Sequence, residues 1–286
     1  MRISLPRGSY TFSMFATIHT VSQPENFWGK IKYNLLPPPV KAEKVEVAGS
    51  SGFLKLTVPI VRGKIYWNNV RSVAGNALQN TLLPAHVPLK EQVNLRRFRS
   101  DRFESILCIN SFLKLLSLLP QKQLLEECAV IDFAGAFPSA LVALPRYCRT
   151  LKVITANPER YEPLAHYCME EYGTALYLSE SIAKAFASPI VLFPKRAAIP
   201  TAFSRTSLVF AASAENLYTA RLLVPEGTNL PQKYLSLMPP GIAPQAFAAA
   251  LYEVSGLSEL SRSVSPAFRQ NNLILSYQDV ISMLDY

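Results

Sequence analysis

The sequence has few cysteines and histidines, and none of them lies in a pattern typical of a metal or redox site. Its four cysteines come one every twenty residues, at 108, 128, 148 and 168, with no C-x-x-C pair. The three histidines, His19, His86 and His166, are equally scattered. Zinc sites and redox-active thiols need closely spaced ligands. We therefore expect buried or incidental thiols and no bound metal.

Long apolar runs are also absent. A helix that crosses a bilayer needs about 20 apolar residues, and the longest candidate, ESILCINSFLKLLSLLP, is interrupted by Asn110, Ser111 and Lys114. The opening MRISLPRGSYTFSMFATIHT contains Arg2 and Arg7 but no continuous apolar core of the kind a signal peptide requires. We expect no membrane contact and a cytoplasmic location.

Charged residues make up only 17% of the chain and hydrophobic residues 49%, which excludes a disordered protein. The formal net charge of +9 favours an anionic partner, such as a nucleotide or a small anionic metabolite. The densest basic stretch spans residues 90–102. It comes without a recognised nucleic-acid module or interleaved aromatic residues, so we interpret it as a solvated face and expect no nucleic-acid binding.

The hydrophobic pattern changes along the chain and predicts its organisation. Residues 1–100 form a β-rich region, and 101–120 a buried connecting helix that ends at Pro120. From 121 to 240, short apolar runs alternate with helical segments, as in βαβ units with a parallel sheet. Residues 241–286 form a helical segment that packs back on the domain interface. The expected class is α/β, with a Rossmann-like parallel-sheet domain and a smaller β-rich α/β N-terminal domain.

The turn after the first strand of the predicted parallel sheet lacks the glycines of a dinucleotide site. In the G-x-G-x-x-G pattern, glycines allow the backbone to approach a pyrophosphate. Here VIDFAGAFPS has Ala134, Ala136 and Ser139 at the three glycine positions, with Gly135 between the alanines. Pro138 also removes one amide donor. These four small residues are nevertheless the candidate positions for cofactor binding at this turn.

The end of the second strand completes this candidate cofactor site. An acid usually holds the adenosine ribose here, but VITANPER supplies Asn157, with Arg160 just beyond. An arginine suits a 2′-phosphate, so NADP is the cofactor that this position favours. The alternative is that Asn157 caps the next helix and Arg160 is a solvated helix residue. Asp132 also invites comparison with the D-x-G-x-G turn of methyltransferases, whose two glycines are missing here.

Three stretches in order along the chain resemble the shikimate dehydrogenase family. KLTVPIV at 55–61 is similar to N-V-T-[IV]-P-x-K, NT at 80–81 to N-T-D, and APQAFAAALYEVSG at 243–256 to the family's closing Q-A-x-x-x-F helix. The resemblance implies a two-domain dehydrogenase fold with a substrate cleft. Its candidate residues in this chain are Thr57, Asn80, Thr81 and Gln245.

The same resemblance places Val61 at the family's catalytic lysine and Leu82 at its partner aspartate. Neither side chain can transfer a proton. Lys55 and Lys64 lie nearby, but strand alternation at Lys55 and a turn expected at Gly63 argue against either as a replacement. We interpret the chain as a degenerate dehydrogenase-like protein without that family's activity, with a cleft for a nucleotide, a metabolite or a protein. The alternative is an active NAD(P)-dependent oxidoreductase with an altered substrate and a relocated acid or base.

Overall fold

The computed structural model describes residues 14–22, 39–48, 51–60, 64–84, 87, 98–120, 124–198 and 200–284. The chain divides into two compact units, Met1–Ser100 with Leu230–Leu260 and Asp101–Asn229 with Ser261–Tyr286. We call them the small-sheet unit and the large-sheet unit.

The strands and helices are numbered in chain order. The strands are β1 Phe15–Ser22, β2 Lys41–Ala48, β3 Ser51–Ile60, β4 Thr81–Leu82, β5 Leu125–Ile131, β6 Cys148–Ile154, β7 Ala175–Ser179, β8 Ile190–Phe193, β9 Thr201–Ala202, β10 Leu208–Ala211, β11 Leu217–Tyr218, β12 Leu222–Glu226, β13 Ala267–Gln270 and β14 Leu273–Leu275. The α-helices are α1 Trp67–Ala74, α2 Arg102–Ser117, α3 Glu162–Tyr172, α4 Gln232–Leu235, α5 Pro244–Glu253 and α6 Tyr277–Ser282.

The small-sheet unit is built on a four-stranded sheet with the order β2-β3-β1-β4, in which β1 runs parallel to β3 and β4. Successive side chains of a strand point to opposite faces. On one face Leu56 packs in a cluster with Val70 of α1. On the other face Phe15 stacks on Phe53 at 5.1 Å between ring centroids, and Phe247 of α5 meets Phe53 edge-on at 5.4 Å. Helices therefore cover both faces of this sheet.

The large-sheet unit contains an eight-stranded sheet with the order β14-β13-β12-β10-β8-β5-β6-β7. The strands from β12 to β7 are parallel to their neighbours, while β13 and β14 add an antiparallel pair. Counted from β5, the six parallel strands follow the spatial order 3-2-1-4-5-6, which is that of the Rossmann fold. Every residue of β8 and β10 is buried, as expected for a parallel sheet covered on both faces. The expected α/β class is confirmed.

The helix expected over 101–120 is present as α2. Its Phe112 ring lies 4.7 Å from that of Phe210 on β10, so α2 packs on the large sheet. The expected helical segment between β5 and β6 differs, because it contains only two short 3-10 helices, Pro138–Leu141 and Leu144–Arg146. A proline in each removes an amide that a continuous α-helix would use.

The C-terminal part also differs from the expected helical segment. Helix α5 begins at Pro244 as predicted, but residues 261–286 contain β13, β14 and the short α6. Asn271, with φ 53°, turns the chain between the two strands, since asparagine tolerates this left-handed conformation. The domain limits expected at 121 and 241 and the interface role of 241–286 stay predictions.

Candidate functional site

The turn after β5 is closed by its own hydrogen bonds. The buried carboxylate of Asp132 accepts from the Phe137 amide at 2.9 Å and from the Tyr161 hydroxyl at 2.7 Å. The Gly135 amide donates to the Asp132 carbonyl oxygen at 2.9 Å. Burial and the bond to Asp132 raise the pKa of the Tyr161 hydroxyl. Two amides of the turn are therefore already used by one acidic residue.

Two side chains from the segment after β6 lie against the same turn. Arg160 Nη1 donates to the Gly135 carbonyl oxygen at 2.9 Å, and Asn157 Nδ2 donates to the Phe133 carbonyl oxygen at 3.1 Å. A Cβ on Gly135 would lie 2.9 Å from Arg160 Cδ and 3.3 Å from Asn157 Cβ, and Gly135 has φ +58°. The absence of a side chain at Gly135 thus allows Arg160 and Asn157 to pack closely against the backbone of the turn.

The alternative interpretation of Asn157 is met in position only. Asn157 precedes the 3-10 helix Pro158–Arg160 as its N-cap residue, but its side chain makes no capping hydrogen bond, and α3 begins only at Glu162. Arg160 is exposed, yet its guanidinium holds the turn instead of only facing solvent.

The remaining candidate positions of the turn, Ala134, Ala136 and Ser139, are exposed, whereas Phe137 is buried. A helix N-terminus after such a turn normally supplies amide donors and partial positive charge to a phosphate. Here only the four-residue 3-10 helix Pro138–Leu141 follows. Of the six expected cofactor positions, Gly135, Asn157 and Arg160 contact one another, whereas Ala134, Ala136 and Ser139 stay exposed. Their binding of a cofactor stays a prediction.

Two neighbouring cavities open at the carboxyl ends of β5 and β8. One, of about 370 Å³, is lined mainly by apolar residues, among them Ile131, Phe133, Ile182 and Phe193. The other, of about 500 Å³, is lined by Asp101, Arg102, Ser105, Ala136 and Phe137. Both also have Lys195 and Arg196 in their lining. In α/β sheets, ligands bind where strand order reverses, which here is between β5 and β8.

The two basic residues at these cavities differ in their partners. Arg196 lies 2.9 Å from Glu104, 3.3 Å from Glu215 and 3.9 Å from Asp101, measured between guanidinium nitrogen and carboxylate oxygen. The Lys195 ammonium lies 5.6 Å from the centroid of the Phe137 ring. Sequence reasoning missed both residues. The signal was present, since they directly follow the apolar run PIVLFP, one of the short apolar runs of the expected parallel sheet, at the edge where ligands bind.

The substrate-cleft candidates all fall in the small-sheet unit, but not on one face. Thr57 pairs in register with His19, and Thr81 with Ala16, so the two threonines lie on opposite faces and three residues apart, about 10 Å along the sheet. Thr81 is buried, and its hydroxyl donates to the Leu78 carbonyl oxygen at 3.0 Å.

The other two candidates are half-buried. Asn80 accepts the Ala16 amide at its carbonyl oxygen, and Gln245 lies in the first turn of α5. A common cleft for all four residues stays a prediction.

Leu82, at the family's aspartate position, is buried in the small-sheet unit. It lines an apolar cavity of about 270 Å³ together with Leu83, Phe98, Ile242 and Ala246. Val61, at the lysine position, lies outside the described residues. Lys55 is 4.0 Å from Glu43 in an exposed ion pair. The surroundings of Leu82 are therefore unsuited to a charged proton-transfer residue.

Metal and membrane sites find no support in the described part of the chain. No group of three or more His, Cys, Asp or Glu residues there could hold a metal ion. Among the same residues, no helix combines the length and the apolar character needed to cross a membrane. The basic stretch lies partly outside the described residues, at 90–97, and its role stays a prediction.

Comparison with known proteins gives only distant likenesses. No protein-family profile matches the chain. No curated protein sequence matches it. Several solved structures are similar. L-tryptophan dehydrogenase from Nostoc punctiforme is 13% identical, with 87% of this chain and 76% of that chain covered and a TM-score of 0.31. Quinate dehydrogenase from Corynebacterium glutamicum, in complex with NAD, is 10% identical, with 87% and 97% covered and a TM-score of 0.29.

A third likeness covers a smaller part of both chains. Delta(1)-pyrroline-2-carboxylate reductase from Thermococcus litoralis, in complex with NADH and L-proline, is 16% identical. The alignment covers 37% of this chain and 35% of that chain, with a TM-score of 0.28. The chain thus matches about a third of the length of that reductase. Likenesses at this level assign neither an activity nor a ligand to this chain.

Proposed function

We propose that this chain is a dehydrogenase-like Rossmann protein that has lost dinucleotide binding and hydride transfer, and that it functions by binding a small molecule. The observation that carries the proposal is the closed turn after β5. Asp132 accepts the Phe137 and Gly135 amides, which are the kind of donors that a pyrophosphate would need. Arg160 and Asn157 pack against Gly135. A dinucleotide would have to break these contacts before its phosphates could bind to the turn.

The lack of a proton-transfer pair supports the same proposal. Reduction of a carbonyl by a nicotinamide needs a group that supplies a proton. The expected aspartate position is Leu82, in an apolar cavity, and the expected lysine position is Val61. Neither residue titrates, so the chemistry of the shikimate dehydrogenase family lacks its acid and base here.

The retained function is binding at the carboxyl edge of the large sheet. The two cavities at the strand-order reversal lie where Rossmann proteins hold their ligands. The net charge of +9 favours an anionic metabolite or nucleotide over a cation. A protein partner is the remaining class.

A spectrophotometric assay tests the catalytic part of the proposal. The chain is incubated with shikimate or quinate and NAD or NADP, and reduced nicotinamide is followed by its absorbance. We expect no turnover above the chain-free rate, while a working shikimate dehydrogenase in the same buffer gives a signal. Turnover that depends on this chain would contradict the proposal and establish the alternative of an active oxidoreductase.

A further inference from the structure

The smaller of the two cavities in the large-sheet unit has the composition of a binding site for an amphipathic molecule. Its walls come from the end of β5, the turn after it, the end of β8, and Ala197, Ala198 and Thr201. Ile131, Phe133, Ile182 and Phe193 make most of this surface apolar. At about 370 Å³ it lies near the lower end of the usual range for ligand sites, about 300–1,000 Å³. One or two rings fill such a volume.

One positive charge at this cavity is not neutralised by an acid. Arg196 is held by three carboxylates, whereas no carboxylate within the described part of the chain forms an ion pair with Lys195. The Lys195 ammonium instead lies over the buried Phe137 ring, which lines the larger cavity, while Lys195 itself lines both cavities. An ammonium beside an apolar cavity attracts an anion whose body avoids water.

We propose that this cavity binds an apolar monocarboxylate, with its carboxylate on Lys195 and its ring or branched body between Phe133 and Phe193. The inference rests on the proposed function, because a bound dinucleotide would cover the same edge of the sheet. A cation would meet Lys195 unfavourably, and a neutral molecule would leave its charge without a partner.

A matched pair of ligands tests the charge requirement. Binding of 1-naphthoate and of the neutral 1-naphthamide is measured by calorimetry on the full chain. We expect naphthoate to bind at least about tenfold more tightly, the usual effect of one charge-assisted hydrogen bond. Equal affinities, or no binding of either ligand, would overturn the inference. This comparison uses the unaltered chain and so does not depend on whether any variant folds.

Variants then assign the effect to the cavity. Lys195→Met should abolish the preference for naphthoate, and Ala198→Leu should weaken both ligands by filling the cavity. Lys114→Met, which changes an exposed lysine of α2, is the matched control and should alter neither affinity. A preference that survives Lys195→Met in a folded variant would contradict the proposed role of this residue.

NADP titrations separate this inference from the proposed function. If neither naphthoate nor NADP binds, the monocarboxylate site is wrong and the loss of dinucleotide binding stands. If NADP binds with micromolar affinity and displaces naphthoate, the proposed loss of dinucleotide binding is wrong while the cavity is still a ligand site.

Discussion

Replacement of Gly135 by alanine tests whether the protein's own side chains fill the turn after β5. The new Cβ would lie 2.9 Å from Arg160 Cδ, closer than carbon atoms approach without a shift. Gly135 also has φ +58°, where a β-carbon is unfavourable. The substitution therefore has two separable costs, one in the backbone and one against Arg160.

The expected loss of unfolding free energy follows from these two terms. Left-handed backbone at a residue other than glycine costs about 1–2 kcal/mol. Displacing Arg160 loses its hydrogen bond to the Gly135 carbonyl oxygen, which contributes about 0.5–1.5 kcal/mol. We expect about 2–3 kcal/mol for Gly135→Ala in the unaltered chain. In an Arg160→Ala background only the backbone term and the contact with Asn157 remain, so the cost falls to about 1–2 kcal/mol.

Urea unfolding of the four chains of this double-mutant cycle measures the coupling between the two sites. Gly173→Ala is the matched control, because Gly173 has φ +63° but nothing within 4 Å of an added Cβ. Its cost should be the backbone term alone and should not change with Arg160→Ala. The reasoning would be refuted if Gly135→Ala and Gly173→Ala cost the same and neither responded to Arg160→Ala.

Three further predictions concern buried groups. Asp132→Ala leaves two donors unpaired, the Phe137 amide and the Tyr161 hydroxyl, and should lower the unfolding free energy by about 1–3 kcal/mol for each. Tyr161→Phe removes only one of these hydrogen bonds and should cost less in the same urea titration. Equal costs would contradict the shared role of Asp132. Leu82→Asp should cost about 3–5 kcal/mol by thermal or urea unfolding, as an uncompensated buried charge does, while a Leu82→Met control stays near the unaltered chain. Burial, with a smaller contribution from Cys168, raises the pKa of Cys148 to about 12. The contribution of the protonated thiol to the unfolding free energy is therefore complete below about pH 8.5, the usual thiol pKa, and is lost as pH rises towards 12. The urea concentration at the unfolding midpoint should be lower at about pH 10 than at about pH 8, and this decrease should be smaller in Cys148→Ala. An unchanged pH dependence in that variant would contradict the prediction.

Hydrophobic periodicity was sufficient to predict most of the fold. The six parallel strands coincide with short apolar runs that can be found in the sequence alone. Pro244 begins a helix and Gly173 ends one, as their backbone preferences require. The segment between β5 and β6 was harder, because its apolar residues suit an α-helix while Pro138 and Pro145 limit it to short 3-10 turns. The hairpin of β13 and β14 depends on the left-handed Asn271, a weak signal in sequence.

The sequence indicated which residues surround the turn after β5, but not the hydrogen bonds that they form there. The missing glycines and the proximity of Asn157 and Arg160 were readable from the sequence. Their engagement with the carbonyl oxygens of Phe133 and Gly135 depends on how the ends of β5 and β6 lie side by side, which no local pattern contains. Lys195 was missed although it directly follows the apolar run of β8, because only the folded chain shows the cavity that this residue lines.

Calorimetric titration with NADP is the measurement that decides whether the turn after β5, whose Gly135 and Phe137 amides are bonded to Asp132, can still hold a pyrophosphate. We expect no binding tighter than about 1 mM, a level that non-specific charge attraction to a basic protein can reach. Micromolar binding of NADP that weakens in Arg160→Ala would contradict it, because Arg160 would then hold the nucleotide instead of the turn.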